Sequence, residues 1–425
     1  MNPLPPRLLP DNAAVTDGGT LTIAGVDTLD LAAEYGTPLF VYDEAHLRAR
    51  CREAVAAFGD DAAVYATKAF LCTAMARLAH EEGMRLDVAT GGEFHVARAA
   101  GVPAERMVFH GNNKSPSELR LALEERVGCV VVDSFDEMDR IETLVAEGLD
   151  PPHVLIRITP GVEAHTHVFV RTGQDDSKFG FTVSTGAAAA AVKRARESTA
   201  MVLRGIHAHI GSQVFRADSY AEALEVIGEF AGGDHFDEVS IGGGLGVAYV
   251  TGEDAPTITQ WAETITAAAR RHGIDSPISA EPGRAIVATA AVTLYTAGVI
   301  KTLPGIRTYV AVDGGMSDNP RPILYGSGYE TFLPRAVAAP REMKIRLVGK
   351  HCESGDVLVS DGWLPDDLQV GDIVATPVTG AYGHSMGSNY NKVLRPAVVF
   401  VADGDARLVV RRETYDDLLA TDLGP

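Results

Sequence analysis

The sequence is short of everything that would mark a secreted, membrane-spanning or nucleic-acid-binding protein. It has only four cysteines, Cys51, Cys72, Cys129 and Cys352, with no CxxC pair and no clustered histidine partners. That argues against a zinc site and against a disulfide framework, and makes a reducing cytosol the simplest expectation. No stretch approaches the roughly 18 consecutive apolar residues of a membrane-spanning helix. The first 15 residues carry four prolines and one arginine and never develop the apolar core of a signal peptide. Runs of Lys and Arg are also missing. With Lys+Arg 37 against Asp+Glu 57 the net charge is −20, so phosphate backbones and anionic lipid are repelled. Neither a nucleic-acid nor a membrane partner is expected, and an anionic substrate has to be held by a few arginines inside a pocket.

What is present is a normal globular composition, 46% hydrophobic and 22% charged over 425 residues, enough for two or three domains and too apolar for disorder. From about residue 62 to 285, short apolar runs alternate with amphipathic stretches. The runs are Ala63–Ala69, Arg85–Ala89, Met107–His110, Cys129–Asp133, His153–Thr159, Leu203–Ile210, Glu238–Ile241 and Pro277–Glu281. The intervening patterns, such as Cys72–Glu82, Phe135–Glu147, Tyr220–Phe230 and Ile258–His272, are long enough to cross back over a sheet. The alanines from Ala187 to Ala191 read as an ordinary packed helix. Eight strand–crossover units predict an α/β fold, a (β/α)8 TIM-type barrel, over 44–285. After residue 286 the texture becomes short strands with Gly and Pro punctuation, a mostly antiparallel β domain over 286–425. Residues 1–43, with strands over Gly18–Ile23 and Pro38–Asp43, are expected to join it.

Reactive residue types collect where the apolar runs end: Lys68, Asp87, His110, Asp133, Arg157, His209, Gly242–Gly244 and Glu281. In a barrel these positions share one rim. Taken singly, Asp133 or His110 reads as a turn residue; the whole set is hard to obtain from turn chemistry. Lys68 closes an apolar strand, where partial desolvation favours a nucleophilic amine able to form a Schiff base. Gly242-Gly243-Gly244-Leu245-Gly246 exposes backbone N–H groups to a phosphate but lacks the dinucleotide fingerprint. His207 and His209 lie two apart with no third ligand at matching spacing, so no metal is expected. Glu281-Pro282-Gly283-Arg284 ends the last barrel strand, where a glutamate can face a ring nitrogen while glycine admits a ligand.

Together, Val64–Phe70, His207–Gln213, Gly242–Gly246, Glu281–Arg284, Cys352-Glu353-Ser354-Gly355-Asp356 and Gly380-Ala381-Tyr382-Gly383 resemble the fold-type III pyridoxal-phosphate decarboxylases, from about Gly19 to Leu419. The resemblance implies pyridoxal 5'-phosphate carried on Lys68, with Glu281 pairing the ring nitrogen. His209 would stack on the ring. Ser212, Gly243, Gly244, Gly283, Arg284 and the Tyr382 hydroxyl would hold the phosphate, and Asp87 and Arg157 would stand behind the lysine and the glutamate. Cys352 and Glu353 resemble a pair contributed across a homodimer interface, Cys352 reprotonating carbon after carbon dioxide leaves and Glu353 taking a distal ammonium. Asp313 to Tyr325 resembles the stretch that, with Arg284, binds the distal carboxylate of diaminopimelate through Arg321 and Tyr325.

A bare or cationic substrate tail would leave those guanidiniums buried and unpaired, costing roughly 3–5 kcal/mol. Diaminopimelate is therefore expected to become lysine. Two alternatives stay open: a related decarboxylase acting on another carboxylated diamine, and a catalytically dead homologue that regulates a true decarboxylase. His384 and Gly387 depart from the family pattern, which bears on rate or lid shape. The long stretch Gly161–Phe181 is expected to cover the site.

Overall fold

The computed structural model describes residues 3–162, 174–215 and 217–424. The chain divides into two compact units, one built from 50–246 and 255–285, the other from 1–49, 247–254 and 286–425.

The first unit is the barrel. Its strands are β1 (Val64–Ala66), β2 (Arg85–Val88), β3 (Met107–Phe109), β4 (Cys129–Val132), β5 (His153–Thr159), β6 (Val202–His207), β7 (Glu238–Ser240) and β8 (Ile278–Ser279). They pair in chain order, each pair parallel. The ring closes where the Val64 N–H donates to Ala280 O at 2.9 Å and the Ala280 N–H to Ala62 O at 2.9 Å. All eight expected strands are therefore present, shortened mostly at their C-terminal ends because the last residues of each run turn outward to form the rim. A further short strand, Phe181–Thr182, adds to β5.

Parallel strands buried on both faces need apolar residues throughout, and Val64, Val108, Cys129, Val131 and Leu155 form one buried cluster. Several helices begin at side-chain caps. Ser115 and Glu118 form a capping box at Pro116–Glu124, and Thr257 and Gln260 another at Ile258–Arg271. The alanine run forms the helix Ala187–Glu197, which buries Ala188, Ala191, Val192 and Ala195.

The second unit is a mostly antiparallel sheet centred on the long strand Ala291–Leu303, which pairs with Leu39–Asp43, Ile373–Pro377 and Arg307–Val312. Leu39–Asp43 is buried along its whole length and also pairs, in parallel, with Ala397–Ala402. The other N-terminal strand, Leu21–Ile23, lies in the same unit but outside its main sheet. It forms a separate three-stranded sheet with Ala13–Val15 and Val26–Asp27. Val357–Leu364 is a strand that the sequence did not announce, since Ser360-Asp361-Gly362 interrupts its alternation.

Close strand approach is sharpest at Gly205 in β6, where an added Cβ would lie 1.7 Å from the Glu238 carbonyl oxygen of β7. Gly205→Ala is expected to destabilise the protein by about 2–4 kcal/mol by prising β6 from β7. Urea unfolding followed by far-ultraviolet circular dichroism measures this, and a change below about 0.5 kcal/mol would contradict the packing described.

Candidate active site

On the barrel, the rim residues form a continuous chain of charge. β1 stops at Ala66, and Lys68 sits in a single 3-10 turn, Thr67–Ala69. Its Nζ lies 3.1 Å from Asp87 Oδ2 at the end of β2; the lysine side chain is 50% exposed and the aspartate 3%. The lysine is thus half-buried, and the turn sets its side chain beside Asp87, the residue expected to stand behind it. From Asp87 the chain of contacts continues: His110 Nε2 is 4.0 Å from Asp87 Oδ1 and 3.3 Å from Glu281 Oε1. His207 Nε2 approaches the same Glu281 oxygen at 3.1 Å, and the Ser240 hydroxyl donates to it at 3.2 Å.

Burial alone would raise the Glu281 carboxyl, but His110 and His207 pull it well below the usual range. Burial pushes His207 down. Arg157 is lowered by burial too, against the opposing pull of Asp133, Glu281 and Asp87, and its guanidinium lies 4.3 Å from the Phe179 ring centroid. Residues 163–173 of the expected covering stretch lie outside the described residues.

His209 follows β6. Its Nδ1 accepts the Gly243 N–H at 3.1 Å, which requires a neutral imidazole protonated at Nε2. Burial, then the charges of Lys68 and Arg157, hold it well below the ordinary histidine value. The glycine loop after β7 is built for close approach. An added Cβ would sit 2.6 Å from His209 Nδ1 at Gly242, 2.2 Å from Glu281 O at Gly243, and 2.2 Å from Gly211 O at Gly244. Gly242 and Gly244 also have φ of 64° and 107°. Gly283 presses on β1, where a Cβ would meet Ala66 Cβ at 2.9 Å. Arg284 Nη2 donates to Ser212 Oγ at 2.8 Å. Lys68, Asp87, Arg157, His209, Ser212, Gly243, Gly244, Glu281, Gly283 and Arg284 are thus all on the loops and strand ends at the C-terminal face of one barrel.

The remaining expected residues belong to the β unit. Arg321, only 4% exposed, opens the short helix Arg321–Tyr325. Its Nη1 donates to the Tyr329 hydroxyl at 2.6 Å, and its guanidinium lies 4.2 Å from the Tyr249 ring centroid. Burial would lower it; Tyr249, Tyr329 and Tyr382 more than offset this and keep it protonated. Tyr325, expected with Arg321, is partly exposed at the end of the same short helix, and Arg321 donates to the phenol of Tyr329. Tyr249 and Tyr329 carried no signal in the sequence beyond being aromatic. Among the described residues Arg321 has no carboxylate partner.

Cys352 is the one exposed cysteine; Cys51, Cys72 and Cys129 are buried, and burial pushes the Cys129 thiol up to about 12. Glu353 is exposed in the same turn. His384 is buried, its imidazole pushed down to about 4 by burial and by Arg395, and Gly387 caps its 3-10 turn.

A lysine amine, a buried carboxylate beside it, a glycine loop and an imidazole on the same rim fit the aldehyde, ring and phosphate of a pyridine aldehyde phosphate. Residues 44–288 match the family model for the pyridoxal-binding domain of pyridoxal-dependent decarboxylases. The chain is 47% identical to diaminopimelate decarboxylase of Mycobacterium tuberculosis, over 99% of this chain and 98% of the relative. It is 49% identical to that of Bacillus subtilis, over 95% of each. The crystal structure of diaminopimelate decarboxylase from M. jannaschii superposes with a TM-score of 0.89 at 33% identity, covering 98% of both chains. The fold is that of the pyridoxal-dependent decarboxylases, enzymes that use pyridoxal phosphate. Within them the chain belongs to the diaminopimelate decarboxylase family.

Beneath the segment that carries Arg321, Asp318 Oδ1 accepts from the Tyr295 hydroxyl at 2.6 Å and Oδ2 from the Gly315 N–H at 2.7 Å. Burial nevertheless raises its carboxyl to about 7 from 3.8. With the folded pKa above the unfolded one, the native state binds the extra proton between those values, so stability should fall as pH rises from 4 to 7, by up to roughly 4 kcal/mol. Asp318→Asn is expected to flatten that slope. Urea unfolding at pH 4.5 and 7.5 checks this; an unchanged slope would show that Asp318 does not titrate there.

Proposed function

We propose that this chain decarboxylates meso-2,6-diaminopimelate to L-lysine and carbon dioxide, the last step of lysine biosynthesis, as a cytosolic homodimer with active sites shared between subunits. Bound pyridoxal phosphate supplies an electron sink for the bonding pair of the departing carboxylate. Lys68 is the amine that carries it, with Asp87 fixing the lysine and Arg157 neutralising the carboxylates behind it. Glu281, held anionic by His110 and His207, keeps a proton on the ring nitrogen. Neutral His209 lies against the ring, and Ser212, the Gly243 and Gly244 amides, the Gly283 turn, Arg284 and the Tyr382 hydroxyl receive the phosphate.

Substrate choice belongs to the arginines. Arg284 and Arg321, with Tyr325 and Tyr382, bind the distal carboxylate, while Glu353 of the other subunit takes the distal ammonium. Cys352 of that subunit, an exposed thiol among three buried ones, returns a proton to carbon. The observation that carries this reading is the buried Arg321 guanidinium, which has phenols around it and no carboxylate among the described residues. A site built to grip an anion rejects a substrate without one. That favours diaminopimelate over diamines with a bare or cationic tail. The retained lysine, glutamate, thiol and arginines likewise favour an active enzyme over a silent regulatory homologue.

Incubating purified protein with pyridoxal phosphate and meso-diaminopimelate is expected to yield lysine and carbon dioxide in equal amounts. Cofactor uptake with no lysine formed would refute the assignment. In Arg321→Ala, kcat/KM for diaminopimelate should fall roughly 100-fold or more, equivalent to about 3 kcal/mol, with the cofactor still bound. Loss of the cofactor in that variant would show that Arg321 does not read the substrate.

A further inference from the structure

His351 precedes the Cys352–Glu353 turn, is buried, and has both ring nitrogens committed. Its Nε2 lies 2.8 Å from Ser317 Oγ, four residues before Arg321. Its Nδ1 lies 3.3 Å from Asn391 Oδ1, the same oxygen that accepts the Cys352 backbone N–H at 3.0 Å. Because that oxygen is an acceptor, Nδ1 carries the proton, and Nε2 accepts from the Ser317 hydroxyl. The ring also stacks on Tyr390, 5.3 Å between centroids at 29°.

The two segments joined by His351 are otherwise welded. Asp356 accepts from the Met316 N–H at 2.7 Å through Oδ1 and from the His351 N–H at 2.9 Å through Oδ2. The Lys350 N–H donates to Gly314 O at 3.0 Å. There is no room between them: a Cβ on Gly349 would lie 2.2 Å from Asp356 Oδ2 and 2.5 Å from Gly315 Cα. The backbone contacts hold the segments together, while the imidazole, through Asn391 Oδ1, links the side-chain hydroxyl near Arg321 to the amide of the thiol turn.

We propose that His351 is a positioning residue that serves two active sites at once. Through Ser317 it sets the segment that presents Arg321 to the chain's own site, and through Asn391 it sets the Cys352–Glu353 turn that the chain lends to its partner. This rests on the shared-site reading above. It adds that one imidazole couples substrate reading in one site to proton delivery in the other.

The test uses dimers with a single working site. Mixing Lys68→Ala chains with Cys352→Ala chains is the control: recovered activity establishes sharing, and none would overturn the shared-site reading and this inference with it, before His351 is altered. Two heterodimers then place His351→Ala differently. With the substitution on the chain that keeps Lys68, KM for diaminopimelate should rise about tenfold while kcat stays within about twofold. With it on the Lys68→Ala chain, which only lends its turn, kcat should fall about tenfold, with any rise in KM coming from the displaced Glu353. Ser317→Ala, which cuts one arm only, should raise KM in the first arrangement and change nothing in the second. Identical behaviour of the two His351 heterodimers, or no change in either, would overturn the proposal.

Discussion

The structure turns on a carboxylate kept charged where charge is costly. Glu281 is 5% exposed at the end of the last barrel strand, and an isolated ionised carboxylate there would neutralise itself. It stays anionic because His110 from the end of β3 and His207 from β6 both reach its Oε1, within 3.3 and 3.1 Å. Those contacts exist only if β3, β6 and β8 end at one level of a closed ring. The closure through Ala63 and Ala280 therefore has a chemical consequence, since it gathers the partners that keep this carboxylate ionised.

The charge then runs outward. His110 faces Asp87 as well as Glu281, and Asp87 holds Lys68, so Lys68 and Glu281 are joined by an unbroken series of side chains from four strand ends. The glycine loop completes the rim by steric necessity. Any side chain at positions 242–244 would displace His209, Glu281 or Gly211 before it met a ligand.

Much of this was legible in the sequence, because a parallel barrel converts strand ends into neighbours. Eight apolar runs with reactive residues at their ends specify the rim whether or not each strand's limits are known. His110 was visible at its strand end but, taken singly, indistinguishable from a turn residue, since its role depends on a glutamate 171 positions later. The spacing of His207 and His209 left their separate surroundings unread. Only His207 faces inward with Glu281, while His209 turns to the glycine loop, because the strand ends between them. Lys68 and Asp87 were both legible at their strand ends, while the 3-10 turn that sets one beside the other was not. Tyr249 and Tyr329 could not be foreseen: both lie in irregular segments, and one belongs to residues 247–254, which leave the barrel's stretch of sequence to join the β unit.

The account's central claim is that Lys68 carries pyridoxal phosphate as an electron sink for a departing carboxylate. The most direct measurement is borohydride reduction of the cofactor-loaded protein, followed by peptide mass spectrometry. A single pyridoxyl adduct on Lys68 is the predicted result. An adduct on any other lysine, or none, would contradict it.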